Sequence, residues 1–60
     1  MKAEYDKTAK GLYIYLTDIP DGGVAISEEL MPSGVVLDKN KQGEVVGIDI
    51  LGVETIEYTS

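Results

Sequence analysis

Neither cysteine nor histidine occurs among the 60 residues, and that double absence constrains the fold more than any motif does. A domain this short buries roughly 60% of the surface its unfolded chain exposes. Folds of this size commonly lean on a disulfide, a metal or a second subunit. Without cysteine there is no disulfide and no thiolate metal site. Without histidine the usual zinc ligand and the usual general base are gone. What remains is close packing, an oxygen-ligated metal or self-association.

The packing material is limited in kind. Hydrophobic residues make up 43% of the chain, too many for a disordered segment. Phe and Trp are absent, so Val, Ile, Leu and the four tyrosines must supply the bulk. Apolar runs are too short to cross a membrane as a helix, and the first residues lack the apolar stretch of a signal peptide. A cytosolic protein is the expectation. Five basic against eleven acidic residues give a net charge of −6. That balance argues against nucleic acid, whose backbone needs clustered cations, and against an anionic membrane surface. It favours solubility, or steering toward a basic protein partner.

Turn signals recur at short intervals, the pattern of a sheet protein. Residues 1–5 alternate weakly, and the polar stretch 6–11 can form a turn or one helical turn capped by Asp6. In residues 12–17, Leu12, Ile14 and Leu16 share one face while Tyr13 and Tyr15 share the other. Residues 18–23 are a strong turn signal, and 24–27 restart a strand. Residues 27–31 fit either a short helical turn capped by Ser27 or a strand running on to Leu30. Residues 34–38 form a strand with Val35 and Leu37 opposite Val36. A polar hairpin loop follows, with Gly43 near its end, where a bulged hairpin needs positive φ. In the last firm strand Val46, Ile48 and Ile50 face one way, and Val45, Gly47 and Asp49 the other. Gly47 leaves room for a large side chain, such as a tyrosine, to cross the sheet. Residues 53–58 suit a short helical turn or an edge strand. The expected fold is a single mainly β domain over residues 1–60, or α+β if 27–31 is helical. It is an antiparallel meander of four or five strands, with the C-terminal segment covering the sheet.

Three constellations carry candidate chemistry. Asp38, Asn40, Gln42 and Asp49 occupy the first, third, fifth and twelfth places of a calcium loop, with Gly43 at the sixth. Strands flank the loop instead of helices, and Lys39 and Lys41 weaken its charge, so a plain hairpin loop in which Asp38 bonds backbone amides is the expectation, with no metal. Tyr13 and Tyr15 read as an aromatic recognition face, since tyrosine is enriched at interfaces, or as a second packed face. Glu28, Glu29 and Met31 read as an acidic bulge with an apolar tip, or as a solvated loop. No catalytic residue, cofactor motif or glycine-rich phosphate loop emerges.

Four stretches, Glu4-Tyr5-Asp6, Gly11-Leu12-Tyr13-Ile14-Tyr15-Leu16, Gly34-Val35-Val36-Leu37-Asp38 and Gly43-Glu44-Val45-Val46-Gly47-Ile48-Asp49-Ile50-Leu51, resemble the family of short bacterial and phage proteins known as domain of unknown function 2283. The resemblance implies a small β-rich domain with no established activity, and a setting beside small toxin-like proteins that would make its members inhibitors. Lys10, where the family commonly has an acid, and residues 28–33, which look like an insertion in a tight turn, depart from the pattern. The expected function is therefore a non-enzymatic protein-interaction module, an inhibitor or antitoxin-like partner of a basic protein. The alternative is a structural homodimer with no other partner, and a calcium-dependent module comes third.

Overall fold

The computed structural model describes residues 1–30 and 34–57. Every regular element among them is a strand: β1 (Lys2–Asp6), β2 (Gly11–Tyr15), β3 (Ile26–Leu30), β4 (Val35–Lys39) and β5 (Val45–Leu51). The five form one antiparallel sheet in the order β1-β2-β5-β4-β3. The meander holds across β3, β4 and β5, and a separate hairpin joins β1 to β2. The connection over residues 16–25 crosses the end of the sheet, so β5 enters between β2 and β4.

The helical turn considered for residues 27–31 does not form over its described part. Residues 27–30 lie in β3, paired in the register Ser27↔Asp38, Glu28↔Leu37, Glu29↔Val36 and Leu30↔Val35. A strand lets the backbone groups that face β4 join its ladder, whereas one isolated helical turn carries a costly nucleus and few internal bonds. Met31 lies outside the described residues.

The loops are closed by their own side chains. Asp6 Oδ1 accepts from the amides of Thr8 at 3.0 Å and Ala9 at 3.1 Å, turning β1 into β2. In the β4–β5 hairpin the same task falls to Asn40, not Asp38 as the sequence suggests. Asn40 Oδ1 accepts from the Gln42 and Glu44 amides, both at 3.0 Å, and its Nδ2 donates to Glu44 at 2.9 Å. Gly43 adopts the expected positive φ of 82°, a conformation that a β-carbon would strain.

Register sorts the side chains into two faces. One face carries the rows Ala3–Ile14–Ile48–Leu37–Glu28 and Tyr5–Leu12–Ile50–Val35–Leu30. The opposite face carries Glu4–Tyr13–Asp49–Val36–Glu29 and Lys2–Tyr15–Gly47–Asp38–Ser27. A bulge interrupts the alternation near the start of β5. Asp38 pairs with Gly47 and Lys39 with Val45, leaving Val46 as the extra residue. Its carbonyl instead accepts from the Leu16 amide at 2.9 Å. Val45 and Val46 consequently border the same groove beside Leu16, so Val45 does not simply follow Gly47 as strict alternation predicts.

Among the described residues only Val46, 7% exposed, is a buried hydrophobic residue. The other aliphatic residues of β2, β4 and β5 stay half-buried or more exposed. The segment after β5 holds no regular structure over residues 52–57. It is tied to one corner, where the Val53 amide donates to the Lys10 carbonyl at 2.8 Å, the Tyr5 hydroxyl donates to the Val53 carbonyl at 2.7 Å, and Lys10 meets Glu54 at 3.1 Å. Ile56 remains 47% exposed, and residues 58–60, the rest of the segment expected to cover the sheet, lie outside the described residues. No helix among the described residues is long and apolar enough to cross a membrane.

Replacing Asn40 by Ala removes the acceptor for two loop amides and should lower stability by about 1 kcal/mol. Asn40→Asp keeps that acceptor and should lose less. The shift of the urea midpoint measures both.

Candidate functional site

The polar face is organised by one side chain crossing another strand. Tyr13 leaves β2, passes over Gly47 on β5 and donates its hydroxyl to Asp38 Oδ2 on β4 at 2.6 Å. Ser27 on β3 donates to the other oxygen, Oδ1, at 2.7 Å. A β-carbon at Gly47 would overlap the Tyr13 hydroxyl and come within 2.6 Å of its Cζ. The opening that the sequence leaves at Gly47 is filled as anticipated, and a tyrosine fills it.

The arrangement continues to the other edge. The rings of Tyr13 and Tyr15 meet edge to face, with centroids 4.8 Å apart and planes inclined at 71°. Lys2 Nζ sits 4.3 Å from the centre of the Tyr15 ring, a cation–π contact across β1 and β2. Lys2, Tyr15, Tyr13, Asp38 and Ser27 thus link all five strands except β5, which contributes the gap at Gly47. Burial, then the hydrogen bond to Asp38 and its charge, push the Tyr13 phenol well above its ordinary value. A hydrogen bond to Glu4 is the main cause of a rise at Tyr15.

Electrostatically the face is acidic. Among the described strand residues, Glu4, Asp6, Asp38, Asp49 and Glu29 project from it against one cation, Lys2. The crossover loop borders it: Ile19, Pro20 and Val24 stand beside Tyr13 and Tyr15 around an open groove of about 410 Å³. The tyrosine pair is therefore a partly packed platform beside an open groove, with polar groups around it.

The other candidates disperse. Glu28 and Glu29 lie on opposite faces, because neighbours in a strand alternate. Glu28 stands opposite Leu37 on the aliphatic side and meets Lys39 at 3.4 Å, whereas Glu29 joins the acidic face. They do not form one bulge, and Met31 is outside the described residues. The calcium-loop residues do not converge either. Asp38 faces Tyr13 and Ser27, the Asn40 oxygen is taken by loop amides, and Asp49 stands in the Tyr13 row. Gln42 contributes its backbone amide to the Asn40 turn. Among the described residues no three acidic, histidine or cysteine side chains gather as a metal site would require. Sequence reasoning missed the roles of Ser27 and Lys2. Their only signal is register, which requires the pairing partners to be known.

Two outcomes test this geometry. Gly47→Ala should displace Tyr13 and destabilise the fold by about 1–3 kcal/mol, with loss of the near-ultraviolet tyrosine dichroism. The second concerns alkaline pH. The folded pKa of Tyr13 lies above its unfolded value near 10, so the associated stabilisation is complete below that pH and is lost as pH rises toward the folded value. Urea midpoints followed upward from pH 8 should fall more steeply for the native sequence than for Tyr13→Phe.

A family model described as protein of unknown function, DUF2283, matches residues 2–53. No curated protein and no solved structure matches the chain. The chain belongs to the DUF2283 family, and the match runs through every strand of the sheet.

Proposed function

We infer that this member of the family is a non-enzymatic protein-interaction module, an inhibitor or antitoxin-like partner that covers a basic protein surface with its tyrosine-bearing acidic face. The observation that supports the reading is the placement of Glu4, Asp6, Asp38, Asp49 and Glu29 on one side of the sheet, where Lys2 is the one opposing cation among the described strand residues. A flat array of carboxylates around two tyrosines suits a cationic protein surface in two ways. The charge steers encounter and sets orientation. The tyrosines offer large contact area at low entropic cost, each with a hydroxyl that can remain hydrogen-bonded.

Recognition on this face would use a pre-arranged surface. Tyr13 is already fixed by Asp38, and Tyr15 is held between Tyr13 and Lys2. Little side-chain freedom is left to lose on binding, which favours affinity for a given contact area. Lys2 is the one group of the wrong sign, and its contact with the Tyr15 ring keeps it at the β1 edge.

The test compares two triple variants of equal charge change, using the basic protein that the tagged chain retains from lysate of its source at low salt. Glu4→Gln, Glu29→Gln and Asp49→Asn together should weaken binding about tenfold or more and flatten its salt dependence. Glu44→Gln, Glu54→Gln and Glu57→Gln, all outside the strands and away from the groove beside the tyrosines, should leave most of the affinity in place. Equal losses in both variants would mean that net charge alone matters, and the face would lose its role. Retention of no basic protein would count against the reading altogether.

A further inference from the structure

We propose that the aliphatic face of the sheet is closed by a second copy of this chain, packed face to face across a two-fold axis, so that the acidic faces of the pair point outward. This concerns the side of the sheet opposite the proposed partner surface and stands independently of it.

Among the described residues the sheet has no second layer of strands. A sheet is stable when its apolar face is buried against another element, yet each strand here contacts only its hydrogen-bonded neighbours. Ile14, Ile48 and Leu37 form one continuous aliphatic row, and Leu12, Ile50 and Val35 form the next. No other strand among the described residues lies across them. The segment after β5, the natural candidate for a lid, is committed to the β1–β2 corner through Val53 and Glu54.

A folded monomer of this 6.5 kDa mass exposes about 3,800 Å². The chain exposes 4729 Å², an excess of about 900 Å². A standard protein interface buries roughly 800 Å² on each partner. The Cα radius of gyration tells the same story: 12.1 Å, against about 10.4 Å for a compact domain of 60 residues. The surplus surface is of the size that one partner of similar dimensions would remove.

Charge on this face favours a second copy over a different protein. Within the strands, charge on this face is confined to Glu28 and Lys39, which neutralise each other near the β3 edge at 3.4 Å. Two chains of net charge −6 can therefore meet here without opposing like charges, which their other faces would force together. The surface is mostly aliphatic, so the same patch can pack on its copy as a two-fold interface requires. Twisted sheets stack this way at about −30° and 10 Å apart. Ile26, 61% exposed, and Leu16, 38% exposed, lie toward the margins of the area that such stacking would cover. In this arrangement two acidic faces remain free, and a complex with a basic partner would contain two copies of each protein.

Sedimentation equilibrium of the full chain at micromolar concentration should give twice the 6.5 kDa chain mass, and the melting temperature should rise with protein concentration, because association stabilises the folded form by mass action. Ile48→Lys, in the middle of the face, should abolish dimerisation, although it could also prevent folding. Ile26→Lys lies at an exposed edge where the chain folds without its burial. It should retain the β-sheet dichroism and weaken dimerisation about tenfold or more. A folded monomer up to 100-fold higher concentration than that of the sedimentation run, with a melting temperature independent of concentration, would overturn the proposal. So would a dimer that Ile26→Lys and Leu16→Lys leave unchanged, since that dimer would use a sheet edge or the acidic face. The Glu4, Glu29 and Asp49 triple variant should remain dimeric, so loss of partner binding and loss of self-association are read separately.

Discussion

The structure turns on Tyr13 reaching across β5 to Asp38. A phenol donating to a carboxylate is a short, charge-assisted bond, stronger than a neutral pair. Its length matters less than its route. The ring lies over Gly47, the one position of β5 without a side chain on the polar face, so β2 and β4 are clamped with β5 between them. Ser27 then fastens β3 to the same carboxylate, while Tyr15 and Lys2 extend the contact to β1. The polar face thereby does much of the ordering that a second layer would do in a larger domain.

That division explains why a sheet with so little buried apolar surface has a defined register. A shift of one residue in β5 would replace Gly47 with a side chain beneath Tyr13, and it would turn the aliphatic rows toward the acidic side. The two faces therefore enforce each other's placement. The aliphatic side supplies hydrophobic driving force once it is covered, and the polar side fixes which residues stand opposite each other. The bulge at Val46 fits the same scheme. It lets β5 bond Leu16 on one side while leaving Val46 the most enclosed aliphatic side chain described.

Under the proposed function, the two faces would divide the chemistry of recognition. Carboxylates and tyrosines on one side suit a wet, salt-sensitive contact with a cationic surface. Aliphatic residues on the other suit a dry contact that resembles half of a domain core. Glu28 and Glu29 illustrate the separation. Adjacent in sequence, they serve opposite surfaces, one neutralised by Lys39 and the other contributing to the acidic field.

Much of the local structure was legible in the sequence, because alternation and turn chemistry act over only a few residues. The separation of Leu12 and Ile14 from Tyr13, the hairpin closed near Gly43 and the space above Gly47 all follow from period two and from the lack of a β-carbon. Family membership was legible too, in the Gly-Glu-Val-Val-Gly-Ile-Asp-Ile-Leu stretch that becomes β5. Three features were not. The choice of strand for residues 27–30 was decided by the ladder that β4 offers, a partner that local propensity does not contain. The insertion of β5 between β2 and β4 was decided by which hydrophobic rows match across the sheet. The assignment of Asp38 to Tyr13 and Ser27, and of the loop amides to Asn40, followed only once that pairing was in place. Sequence determined which side of each strand is apolar, since that depends on the strand alone; tertiary structure decided which strands lie side by side, since that depends on contacts between residues far apart in the chain.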